Sequence, residues 1–209
     1  MKHEWRKQEK ELYGVSPKPQ VIQVPKQTFI TIKGEGNPNE EAFSDRVGVL
    51  YSLAFPLKMA FKRMAVNNKE RREEFSYTDY TVYPLEGEWQ TTNPDDLLDK
   101  ASFHYTLMIR QSDYITEEIF EETLETVKKK KPHPLLDEIQ FVTLEEGRCV
   151  HALHNGSFDD EPVTFAKMEQ FAQEQKLQRL HPHHKEIYLN DARKTPPKKR
   201  KTILRFQVG

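Results

Sequence analysis

A single cysteine, Cys149, stands in a chain of 209 residues, which excludes an intrachain disulfide and fits a reducing compartment. It lies in an apolar strand pattern, Arg148 to Leu153, where a packed thiol is expected rather than a nucleophile. Glycine is scarce, with 8 residues against 13 prolines, and both fall mostly between periodic segments, as punctuation rather than low complexity. No run of about 18 apolar residues occurs, and the charged start, Met1 to Gly14, lacks the apolar core of a signal peptide. A cytoplasmic protein without membrane association is expected. Neither sign of charge dominates: 32 Lys and Arg face 33 Asp and Glu, for a formal net charge of −1. That balance provides no general attraction to nucleic acid or anionic lipid.

Several chemistry-bearing motifs are also missing. There is no glycine-rich phosphate loop followed by Lys-Ser/Thr, no serine nucleophile elbow and no CxxC pair. The first 20 residues are too few for a helix-turn-helix, so direct DNA binding is not expected. His181, His183 and His184 lie close in sequence, with His151 and His154 on a nearby strand, but their spacing matches no usual zinc site. Neither a metal nor a cofactor is expected.

What is present is a regular alternation of strands and helices. Residues 1–20 read as a polar N-terminal extension ending at Ser16-Pro17-Lys18-Pro19, followed by one domain over 21–209. The β-branched run from Val21 to Lys33 predicts a strand, and Gly34 to Pro38 a turn. Phe43, Val47, Leu50, Tyr51, Ala54, Leu57 and Phe61 recur every three or four residues and predict a helix from Glu41 to about Val66. Pro56 should kink or divide it. A charged connection, 67–76, leads to a strand from Tyr77 to Trp89, a brief helical turn opened by Thr92 to Asp95, and a strand from Phe103 to Arg110. On that last strand His104, Thr106, Met108 and Arg110 share one face. An amphipathic helix over Thr116 to Lys131 links this first half, about 21–111, to a second, about 136–209. Its terminal lysines complement the helix dipole.

The second half repeats the order: strand, Gly156 turn, helix from about Pro162 to Leu177, a strand at Glu186 and a final strand from Thr202 to Val208. A duplicated βαββ unit is physically sensible, because one unit alone cannot bury both faces of its sheet. The expected architecture is therefore α+β: two units forming a curved antiparallel sheet, helices on one face and a ligand cleft on the other. Aligning the halves sets Tyr188 opposite Tyr83, so that two phenols approach one cleft, flanked by Trp89 and Glu186.

The strand at Glu186 carries the candidate chemistry. At period two, Ile187 and Leu189 face one way while Glu186 and Tyr188 face the other. The plain alternative is a solvated glutamate on an amphipathic strand. The segment His184-Lys185-Glu186-Ile187-Tyr188-Leu189-Asn190-Asp191-Ala192-Arg193 resembles the signature of GyrI-like small-molecule-binding domains. Gly156 and the Leu85-Glu86-Gly87-Glu88-Trp89 corner are similar to family features as well, whereas Ala192 departs from a common proline in a turn. The resemblance implies a glutamate at Glu186 in an aromatic cleft that engages flat, often cationic ligands. Candidate ligand-binding residues are Glu186, Tyr188, Trp89, Tyr83, Met108 and His104, with Glu186 and Tyr188 catalytic if the protein is an enzyme. The family also leaves three functions open: capture of small hydrophobic or cationic aromatic molecules; hydrolytic opening of cyclopropane-bearing, DNA-alkylating natural products; and a gyrase partner.

Overall fold

Pro25 divides the first β-branched run. It has no N–H to continue a ladder, and in the computed structural model, which describes residues 1–67, 72–93, 95–96 and 99–209, the two pieces part company there. A short strand β1 (Lys2–His3) and two single-turn helices, α1 (Trp5–Gln8) and α2 (Lys10–Tyr13), precede β2 (Gln20–Val24) and β3 (Gln27–Glu35). Where one strand from Val21 to Lys33 was expected, there are two, and they lie in opposite halves of the sheet. The chain continues through α3 (Glu41–Asn67), β4 (Asp79–Tyr80), β5 (Leu85–Thr91), β6 (Phe103–Arg110), α4 (Glu117–Lys130), β7 (Gln140–Leu144), β8 (Gly147–Asn155), α5 (Glu161–Glu174), β9 (His184–Tyr188) and β10 (Lys201–Gln207). Residues 68–71 of the charged connection, and Pro94 of the turn before β6, lie outside the described residues.

The main sheet has eight antiparallel strands in the order β2-β8-β10-β9-β5-β6-β3-β7, curled into a half-barrel. Its symmetry is exchanged at the edges: β2 from the first half pairs with β8, and β7 from the second pairs with β3. Each half thereby lends its first strand to the other, which protects edges that would otherwise be open. The pseudo-twofold axis runs between β5 and β9, where Gly87 is paired with Glu186.

Both main helices lie on one side of the sheet. Leu50, Leu53, Leu57 and Phe61 of α3 are fully buried in one cluster with Ile30, Ile32, Leu107 and Ile109 of β3 and β6. Met168 and Ala172 of α5 pack with Val150, Ala152, Leu204 and Phe206. α3 runs through Pro56 as one helix rather than dividing. Buried residues on both sides of the proline, Leu53 and Leu57 among them, hold the helix against the sheet despite the lost backbone bond. Thr116 caps α4, its hydroxyl accepting from the Ile119 N–H.

On the opposite face, the first 16 residues close over the curl. Trp5, Leu12, Tyr13 and Val15 are all buried, the Trp5 indole N–H donates to the Val82 carbonyl at 3.0 Å, and the Leu153 N–H donates to the Ser16 carbonyl at 2.9 Å. Glu9 accepts hydrogen bonds from Arg110 and from the Tyr83 hydroxyl. Deeper in this face, Glu146 receives Lys185 Nζ at 2.7 Å and Arg205 at 3.2 Å, while Glu86 lies 3.5 Å from the same lysine. Cys149 is fully buried beside this group, and burial pushes its thiol up to about 12, which removes it as a nucleophile at neutral pH.

Candidate functional site

The backbone register identifies which residues the two halves place at equivalent points. Gly36 N–H donates to the Phe103 carbonyl as Gly156 N–H donates to that of Arg200, which aligns β6 with β10. Across the sheet Tyr105 then faces Trp89 as Thr202 faces Tyr188. Trp89, and not Tyr83, is therefore the counterpart of Tyr188. The strand that was expected to start at Tyr77 is interrupted after Tyr80 and resumes at Leu85, so Tyr83 falls before β5 and joins the N-terminal segment instead.

At the pseudo-twofold axis these counterparts touch. Trp89 Nε1–H donates to Tyr188 Oη at 2.9 Å, the Tyr188 hydroxyl donates to Glu186 Oε2 at 2.8 Å, and His184 Nε2 lies 3.0 Å from Glu186 Oε1. Strand alternation aims His184, Glu186 and Tyr188 at the same face, the one bearing α3 and α5, so the group sits in the groove between the N-terminal ends of those helices and not on the opposite face, where the cleft was expected. Gly87 makes the arrangement possible. A Cβ there would stand 2.5 Å from Trp89 Nε1 and 3.2 Å from Tyr188 Oη. One half supplies the carboxylate at Glu186, and the glycine of the other leaves room for the Trp89–Tyr188 contact.

Aromatic rings wall the groove. Phe43 of α3 stacks on Trp89 with centroids 5.8 Å apart, Tyr105 is 5.1 Å away, and Phe158 packs edge-on to Tyr188 at 5.8 Å. Phe165 of α5 meets the His184 ring at 4.6 Å. Trp89 and Glu186 are nearly buried at 7% and 8% exposure, while Phe43, Phe158 and Tyr188 are half-buried, which leaves faces available to a guest. Burial, then the charges of Glu186 and Glu161, push the Tyr188 pKa well above that of a free phenol. Tyr188 is consequently a fixed hydrogen-bond donor at any physiological pH.

Of the six residues singled out in the sequence, the structure brings three together: Glu186, Tyr188 and Trp89. Tyr83 is buried beneath the N-terminal segment, its ring under the Arg110 guanidinium at 4.6 Å. Met108 is buried on the reverse face, paired with Glu86 across the ladder, and His104 lies exposed at the rim, 4.0 Å from Glu35. Sequence reading missed His184 as a ligand to Glu186, although the period-two spacing of His184, Glu186 and Tyr188 carried that signal. It also missed Glu161, which lies in the first turn of α5 within hydrogen-bonding reach of Glu186. The other histidines singled out in the sequence lie elsewhere: His154 bridges Thr164 and the Ser157 carbonyl, His181 stacks on His183, and His151, whose ring nitrogens meet no partner among the described residues, is lowered by burial to about 4 and so is neutral. Among the described residues no cluster of three metal-ligating groups forms, and no helix is long and apolar enough to cross a membrane.

A duplicated βαββ sheet with a carboxylate-centred aromatic groove on its pseudo-twofold axis defines a small-molecule-binding module. The chain belongs to the GyrI-like small molecule binding domain family, whose sequence profile matches residues 17–208. Among solved structures, an uncharacterized conserved protein from Listeria innocua is 36% identical with a TM-score of 0.86, covering 99% of this chain and 100% of that one. A hydrolase from the same organism is also 36% identical with a TM-score of 0.86, and the match covers 100% of both chains. The C-terminal domain of EcmrR shares the fold at 10% identity, with a TM-score of 0.53 over 92% of this chain and 97% of that one. No curated protein matches the sequence.

Proposed function

We propose that the groove captures flat aromatic small molecules, and positively charged ones above all, with Glu186 as the counter-charge. The observation that carries this reading is the state of that carboxylate. It is nearly buried among rings, and among the described residues no lysine or arginine pairs with it; its bonded neighbours are His184 and Tyr188. An anion so placed lacks both full hydration and a permanent cation. A guest cation would supply the missing charge, and the faces of Trp89 and Tyr188 would add a cation–π attraction of about 0.5–2 kcal/mol. The family to which the chain belongs supports a small-molecule ligand. Titration with ethidium is the test: Trp89→Ala should weaken binding by about 1–3 kcal/mol, a magnitude typical of base–aromatic stacking. Unchanged affinity in a variant of native circular dichroism would remove Trp89 from the binding wall.

A second reading, hydrolysis of a strained electrophile, is favoured by the presence of two carboxyl groups, Glu161 and Glu186, in one site. It is also supported by the Listeria relative described as a hydrolase. Glu186 would take a proton from the attacking water as the cyclopropane C–C bond breaks and its electron pair passes to the conjugated oxygen; Tyr188 would turn its O–H from Glu186 to that oxygen, and Trp89 would stack on the substrate. Positioned acid–base groups give about 10² to 10⁴ in rate, sufficient for a cyclopropane-bearing alkylator already primed to open. Mass spectrometry of such a compound should show the gain of one water, abolished in Glu186→Gln. An unaltered compound would exclude this reading. A gyrase-binding role, which the family resemblance alone suggests, draws no support from the groove.

A further inference from the structure

Glu161 is a carboxyl group that capture of a cation does not call for. It is 6% exposed, its Oε1 meets no hydrogen-bond partner, and it lies within hydrogen-bonding reach of Glu186. Two carboxylates in such contact cannot both be ionised without strong repulsion, and a hydrogen bond between them requires a proton. The surroundings decide which of the two holds it. Both oxygens of Glu186 have partners in Tyr188 and His184, whereas Glu161 Oε1 has none among the described residues, so the shared proton is placed on Glu161.

The other groups facing this end of α5 reinforce the assignment. From β9 come Glu186, Tyr188 and His184; the preceding turn contributes Asp159 and Asp160; β8 contributes His154, already engaged by Thr164 and the Ser157 carbonyl. The nearby cations are occupied: Lys100 bridges Asp159 at 2.9 Å, and the Arg200 guanidinium lies over the Phe158 ring at 4.9 Å. Burial first, then the negative charge of Glu186 and the hydrogen bond to it, hold the Glu161 carboxyl well above the usual carboxylate range. The dipole of α5 favours the ionised form, but that contribution is confined to the helix end and is the smaller effect beside desolvation.

We propose that Glu161 is a specificity-determining residue: it retains a proton and so holds the groove at a single negative charge, matching flat monocations and disfavouring flat dications. The proposal rests on the capture reading above. A monocation neutralises Glu186 and leaves Glu161 desolvated beside no net charge, so the proton stays. A dication leaves one positive charge uncompensated in a medium of low polarity, and it binds only as the Glu161 proton departs to solvent.

The test is a matched pair of flat biaryl ions, N-methyl-4-phenylpyridinium with one charge and methyl viologen with two, titrated calorimetrically near neutral pH in buffers of different ionisation enthalpy. The wild-type protein should bind the monocation with no proton release. Methyl viologen should bind more weakly and release one proton, its affinity rising by up to about tenfold per pH unit, because the bound state carries one proton fewer. In Glu161→Gln, proton release and pH dependence should disappear for the dication. Proton release on monocation binding, or dication binding of equal affinity without release, would overturn the proposal, and both are read on the wild-type protein without any variant. Persistent proton release with the dication in a folded Glu161→Gln protein would overturn it as well. If neither ion binds the wild-type protein, the capture reading itself falls, and the charge selection with it.

Discussion

Lys185→Ala is expected to destabilise the protein by about 3–5 kcal/mol, the usual cost of removing one partner from a buried ion pair. Lys185 is 4% exposed and carries the positive charge between Glu146 and Glu86, with its ammonium also 4.8 Å above the Phe29 ring. Removing it leaves Arg205 alone to compensate Glu146, and burial, which already raises the Glu86 pKa, would force that residue fully to its neutral form. Urea unfolding at neutral pH measures the loss, and a change under about 1 kcal/mol would mean that the buried charges are hydrated rather than paired. The double replacement Lys185→Met with Glu86→Gln should recover much of the stability, because Glu146 and Arg205 then remain as a balanced pair and the penalty lies in the abandoned charge, not in the missing contact.

Gly87→Ala is expected to damage the site more than the fold. The added methyl would sit 2.5 Å from Trp89 Nε1, and the indole is held by Phe43, Phe103 and Tyr105, so it has little room to retreat. Overpacking of this kind costs about 1–3 kcal/mol. The larger effect is chemical: displacing the indole breaks its bond to Tyr188, and Tyr188 in turn fixes Glu186. Ethidium affinity should fall at least about tenfold, a loss of about 1.4 kcal/mol or more. Unchanged binding would show that the Trp89–Tyr188 contact does not organise the groove.

How far the sequence foretold these features can be judged residue by residue. Alternation along His184 to Leu189 separated Glu186 and Tyr188 from Ile187, because the period of a strand is a local property, but the Ile187 face is not the apolar one expected, since it also carries Lys185 and Glu86. The duplication was legible for the same reason: glycine turns at Gly36 and Gly156, and helices of like spacing, recur in order. Long-range placement was not legible. Pro25 marks a break but not that β2 departs to the far half, and Tyr83 looked equivalent to Tyr188 only because strand β5 was started too early. The reverse face was hidden as well. Lys185, Glu86 and Arg205 are residue types that normally face water, and only the closure of the curl by the N-terminal segment makes them interior. Glu161 follows Asp159 and Asp160 at a helix start, where an acid has an ordinary dipole explanation, so nothing local distinguishes the buried carboxyl from its exposed neighbours.

If Glu186 supplies the charge that holds a guest in the groove, removing that charge should release the guest. Ethidium binding is compared between the wild-type protein and Glu186→Gln, a substitution that keeps size, deletes the charge and turns one accepting oxygen into an amide donor. The expected result is saturable binding by the wild type and a weakening of at least about tenfold in the variant, at unchanged circular dichroism, in line with the roughly 1.5–3 kcal/mol carried by a hydrogen bond to a charged group. Equal affinity in the two proteins would contradict it.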